Sequence, residues 1–155
     1  MLRRLVSVAL GILALLSALG TPATAEGASD LALVEIHSPD GPVAVWTKIR
    51  IVAVAANMGP DDLVDDSLDI TYDHTRHLRV LRQRCSDGVS ADTPSCEFGA
   101  VAAGGRVRTI IIAKVRAWTF PAFAHIRFCV SHEAAIDPDP DHSNDCRSVR
   151  VEVSG

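Results

Sequence analysis

Positive charge is scarce in this sequence: 15 Lys and Arg stand against 19 Asp and Glu, for a formal charge of −4. Nothing is left over to replace the counterions of a phosphate backbone, which argues against a nucleic-acid binder. The same deficit argues against a polybasic protein of membrane surfaces. No C-x-x-C pair is present, so the four cysteines lack the spacing of a zinc site. There is no G-x-S-x-G elbow and no glycine loop that would cradle a phosphate. The mature part has no convincing amphipathic helix, no internal repeat and no second long apolar run. A dispersed Ser–His–Asp set cannot be recognised from residue order, so the ingredients of one carry no weight.

The first apolar run has the make-up of an export signal. Arg3 and Arg4 precede an apolar stretch from Leu5 to Leu19, and Ala23-Thr24-Ala25 forms an A-x-A cleavage pattern. The run has 15 residues, against the roughly 20 that a membrane span needs. The expectation is a signal peptide over 1–25 and one domain over 26–155, soluble and extracellular. Cleavage after Ala25 removes two cations and no acid, leaving 13 cations against 19 acids.

Cys85, Cys96, Cys129 and Cys146 fit that compartment as two disulfides. Three connectivities are open. The local pairs Cys85–Cys96 and Cys129–Cys146 are preferred, because each closes an interval between neighbouring strands.

The hydrophobic period in the mature part is two. Strand-like segments run over 31–36, 43–56, 68–72, 78–84, 95–98, 107–115, 124–131 and 147–153, with turn residues such as Asp40-Gly41 and Asn57-Met58-Gly59-Pro60 between them. Seven or eight short strands without helices predict an all-β chain, an immunoglobulin-like antiparallel β-sandwich.

Four landmarks then appear in order. They are Ser29-Asp30-Leu31-Ala32-Leu33, Asn57-Met58-Gly59-Pro60-Asp61-Asp62, the segment from Cys96 to Gly104, and the segment from Asp137 to Asp145. In these the chain resembles a bacterial immunoglobulin-like module, the extracellular domain catalogued as the eleventh domain of unknown function. The Leu-Pro-x-Gly turn usual in that family is replaced by Tyr72 to His77, and Asn144-Asp145 stands where an Asn pair is usual. The resemblance implies a fold and an extracellular setting, and it brings no catalytic residues with it.

Among candidate sites, Asp137, Asp139, Asp141, Asn144 and Asp145 offer oxygens of the kind calcium takes. An EF-hand is excluded, since His142 and Ser148 stand where that loop needs Gly and Glu. A solvated acidic turn is preferred, so no metal and no cofactor is assigned. The acids over 61–69 are read in the same way. His74 with His77, and His125 with Cys129 and His132, are read as ordinary histidines. Trp46, Trp118, Phe120 and Phe123 fill a core or line a binding face. The expected function is that of a non-enzymatic binding or structural module contacting a protein or a cell-envelope component. A small-ligand carrier resembling secreted chromophore apoproteins is the alternative, and a hydrolase or inhibitor is the third class.

Overall fold

The computed structural model describes residues 29–63, 68–86, 94–116, 122–132 and 139–155. The leader over 1–25, Asp65, Trp118, Phe120 and Asp137 lie outside the described residues, so the expectations attached to them end there.

Nine strands are described: β1 (Leu31–His37), β2 (Val43–Ala44), β3 (Lys48–Asn57), β4 (Leu68–His74), β5 (Leu78–Cys85), β6 (Ser95–Phe98), β7 (Arg106–Val115), β8 (Ala122–His132) and β9 (Cys146–Ser154). They form two sheets, one in the order β1-β3-β7-β5 and one in the order β2-β9-β8-β4-β6. The expected all-β sandwich is the fold. Alternation along the strands explains it. In β7, Thr109, Ile111, Ala113 and Val115 are buried while Arg106 and Arg108 are exposed. Ile49, Ile51, Ala53 and Ala55 of β3 face the same interior. Opposite them, Phe128, Ile126, Ala124, Ile70, Leu68 and Phe98 close the core from the second sheet. Period two places every second side chain inside, and two apolar faces bury each other.

The structure differs from the expectation at residues 43–56, which read as one strand. The run crosses between sheets instead. Val43 pairs with Val153 in the five-stranded sheet, in parallel, and Lys48 pairs with Lys114 in the other. The crossing is made at Trp46, whose φ of 66° is left-handed. Its amide donates to the Val115 carbonyl (2.9 Å), and the Thr47 amide donates to that of Ala44 (3.2 Å). An aromatic residue rarely adopts this backbone, which costs on the order of 1–2 kcal/mol. This crossing supplies the strand beyond the expected seven or eight, and it introduces the one parallel pair among the described strands.

Both local disulfides form. Cys129 and Cys146 sit directly opposite each other in the β8–β9 ladder. Cys85 and Cys96 are bonded too, but β5 and β6 belong to different sheets. The second bridge therefore joins the free edges of the two sheets, rather than strands paired within one.

Two landmark turns meet at one end of the sandwich. Asn57 is wholly buried, and its Oδ1 accepts from the Asp30 and Gly59 amides (3.3 and 3.1 Å). Its Nδ2 donates to the Asp61 and Val101 carbonyls (2.8 and 3.1 Å). The Gly104-Gly105 turn packs on the same residue. Gly104 has a φ of 72°, and a Cβ on Gly105 would lie 2.7 Å from the Ala102 carbonyl oxygen. Only glycine fits both positions.

Candidate functional site

The acidic loop between β8 and β9 does two things. Asp139 is 8% exposed, and its carboxylate accepts from the Leu31 amide (3.0 Å) and the Asp141 amide (2.9 Å). The Asn144 side-chain amide donates to the Asp30 carboxylate (3.1 Å), while its main-chain carbonyl accepts from the Leu33 amide (3.1 Å). The loop thereby satisfies the outer edge of β1, a strand edge that would otherwise offer unpaired amides. Asp141 is turned into its own loop by Ser143, whose hydroxyl and amide hold its carboxyl below the usual range.

The same loop gathers Asp139, His142 and Asp145, whose ligand atoms lie within 4.8 Å of one another. His142 Nδ1 is 2.9 Å from Asp145 Oδ2. Burial pushes the Asp145 carboxyl above the usual carboxylate range; the His142 bond opposes this, and the Asp139 charge adds to it. With His132, Ser131, Val130 and Leu31 these residues line a cleft of about 240 Å³. Of the five calcium candidates, then, Asp139 and Asp145 come together, Asp141 and Asn144 are engaged elsewhere, and Asp137 is not described. The residue that joins the two acids is His142, at the position where an EF-hand needs glycine. Its spacing in Asp-x-x-His-x-x-Asp was the available signal.

The other histidine candidates do not gather with acids or with each other in this way among the described residues. His77 Nδ1 is engaged by the Arg116 carbonyl (3.2 Å), and Cys129 is in a disulfide. The Asp62 carboxylate caps the Ala103 amide (2.8 Å), and Asp61 joins the turn through its main-chain carbonyl. Phe123 lies beneath the Arg150 guanidinium, 3.3 Å from the ring centroid. Trp46 is the exception, at 51% exposure.

Trp46 borders a surface that strand pairing assembles from scattered cations. On the outer face of the four-stranded sheet, Lys48, Lys114 and Arg79 form one row across β3, β7 and β5. The next row is Arg50, Ile112 and Arg82, and the third is Val52, Ile110 and Arg84. Val54 with Arg108, and Ala56 with Arg106, continue it. Eight of the 13 cations that follow Ala25 are on this one face. Among the described residues Arg106 is the one of the eight held in an ion pair, with Glu35 (2.8 Å) at the β1 edge. The bond to His37, with that to Arg106, holds the Glu35 carboxyl below its ordinary range. Lys114 Nζ lies 5.2 Å from the Trp46 ring centroid and the Arg116 guanidinium 6.0 Å from it.

No known family model and no curated protein matches the chain. Among solved structures, it is similar to the CARDB domain of a Pyrococcus furiosus protein in complex with di-metal ions. The TM-score is 0.53 at 15% identity, over 83% of this chain and 90% of that one. The solution structure of that CARDB domain gives a TM-score of 0.49 at 13% identity, over 82% and 96%. A chain of a type I cohesin–dockerin complex from Clostridium thermocellum gives 0.45 at 14%, over 81% and 99%. What the CARDB likeness shows is the shared β-sandwich fold.

Proposed function

We propose that this is a secreted, non-enzymatic immunoglobulin-like module that contacts a cell-envelope or protein partner through the outer face of its four-stranded sheet. The observation that carries the reading is Trp46. It holds a left-handed backbone and exposes half of its surface beside Lys114 and Arg116. Strained backbone and exposed tryptophan next to cations are features of contact surfaces, where Trp and Arg supply much of the binding energy. Two disulfides suit an oxidising compartment. The landmark residues Asn57 and Gly104 serve turns, in keeping with a module whose landmarks are architectural. No helix among the described residues is long and apolar enough to cross a membrane.

The test is retention on an envelope fraction of the producing organism, comparing the oxidised protein with Trp46→Gly. Glycine suits the left-handed backbone, so this variant removes the ring without demanding a strained fold. The reading expects retention to fall at least several-fold in a variant that melts no lower than about the wild type. Retention unchanged by Trp46→Gly would overturn it.

A further inference from the structure

We propose that the partner of this face is a linear anionic polysaccharide, seated in the groove that Arg50, Arg82 and Arg84 build around Ile110 and Ile112. This deepens the contact-module reading and rests on it. The groove has a volume of about 320 Å³. Its floor is β7, the central strand of the three, and its walls are guanidinium groups on β3 and β5. Adjacent strands lie ~4.8 Å apart, so the two walls rise ~10 Å from each other. Along the strands, side chains on one face recur every ~6.8 Å. The result is a trough one polymer chain wide, with charge at regular intervals and an apolar floor.

Shape and hydrogen-bonding capacity select the occupant. Arginine and lysine donate and never accept. The one carboxylate described on this face, Glu35, is already bound by Arg106 and His37 at the far edge. An extended acidic peptide laid in the groove would leave its own amide N–H groups facing donors. Strand addition along β5 is blocked as well, because that edge carries a bulge between Val80 and Arg82 and three outward arginines. A B-form duplex, whose major groove alone is ~12 Å wide, is broader than the ~10 Å trough. A single nucleic-acid strand needs a series of aromatic platforms, and among the described residues Trp46 is the one exposed aromatic bordering this face. A planar membrane cannot enter a trough. A polysaccharide bearing carboxylate or sulfate groups presents acceptors to the walls and sugar C–H faces to the isoleucines. Its next residues reach Trp46 at the Lys48–Lys114 end, where an aromatic ring can stack on a sugar.

The face also has an electrostatic reason to take an anion. Like charges directly opposite each other across a ladder are unfavourable. Lys48, Lys114 and Arg79 are three such neighbours in one row, with no described acid between them. A bound polyanion removes that repulsion.

The experiment titrates the oxidised protein with polygalacturonate (carboxylate), dextran sulfate (sulfate) and neutral dextran. Poly-glutamate, a single-stranded oligonucleotide and phosphatidylglycerol vesicles serve as competing classes. One or both anionic glycans are expected to bind, and the arm that binds tighter identifies the acid group. Neutral dextran should not bind, and affinity should fall as salt is raised. Arg50→Gln with Arg82→Gln should weaken binding at least tenfold, whereas Arg127→Gln with Arg150→Gln on the other sheet should not. Equal losses in both double variants, or tighter binding to peptide, oligonucleotide or vesicle, would overturn the proposal. No glycan binding, with envelope retention still dependent on Trp46, would sink this inference and leave the contact-module reading standing. Loss of that dependence would sink both.

Discussion

Lys48 faces Lys114 in direct register across the β3–β7 ladder, and neither is neutralised by a described acid. The pair is part of a row that Arg79 completes from β5. An acidic protein thus keeps like charges directly opposite each other at one end of the two central strands of this sheet. The first expected outcome follows from that row. Arg79→Thr, which keeps a strand former and removes one charge, should raise the melting temperature by about 1–2 °C at low ionic strength. The gain should vanish at high salt. Calorimetry at two salt concentrations checks this, and no gain at low salt would mean the row is already relaxed.

Asp145 gives a pH dependence. Burial makes its folded carboxyl hold a proton more tightly than the unfolded chain does. The stability linked to that proton is present below the unfolded value, near ~3.9, and is lost as pH rises through the higher folded value. At neutral pH the ionised group is therefore a liability. Asp145→Asn, whose side-chain carbonyl still accepts from His142, should melt above the wild type near pH ~7 and lose that advantage near pH ~3. Melting curves at the two pH values decide it. The opposite order would show the carboxylate to be stabilised, not penalised, by its site.

Asn57→Ala removes four hydrogen bonds at once, from two amides and to two carbonyls, of which the Val101 carbonyl keeps the Leu63 amide. We expect a loss of about 2–4 kcal/mol in urea unfolding. Asn57→Asp keeps the acceptor, loses the donor and brings in a buried charge, so it should not rescue. Full stability in either variant would show that the turn does not depend on this residue.

For the acidic loop, Asp139 is already held by two amides and the loop is bounded by the Cys129–Cys146 bridge. Calcium should therefore not be needed for folding, and melts in chelator and in millimolar calcium should coincide. An ion bound at 100 times its dissociation constant would add about 2.7 kcal/mol, a shift of several degrees. A shift of that size, removed by Asp139→Asn with Asp145→Asn, would make the cluster a metal site.

Replacing Cys85 and Cys96 together by serine should cost about 3 kcal/mol, the loop-entropy value for a separation of 11 residues. Hydrogen exchange should rise at β5 and β6, the edges that the bridge joins. Protection lost evenly across both sheets would show that the bridge constrains the whole chain and not that side.

Period-two alternation made the strands readable, since burying one face of Ile49, Ile51, Ala53 and Ala55 needs nothing beyond the local pattern. The cysteine pairing was readable from proximity, although β5 and β6 turned out to lie on opposite sheets. The crossing at Trp46 left no mark, because neither side of it lacks β-formers and a left-handed tryptophan has no signature. The basic face was hidden for a different reason. Net charge sums over the molecule, whereas Lys48, Lys114 and Arg79 become neighbours only when three distant strands pair. His142 gives no ligand signal when the loop is read against an EF-hand, in which its position is a defect.

The Asp139–Leu31 bond ties the first strand of the sandwich to a loop 108 residues later. Synthesis is vectorial, so β1 emerges long before the residues that finish its edge. Until the last segment is made, that edge stays open and the chain remains short of its closed form. Contacts this distant in sequence also slow folding. The first strand of the sandwich is therefore the one whose outer edge is finished last.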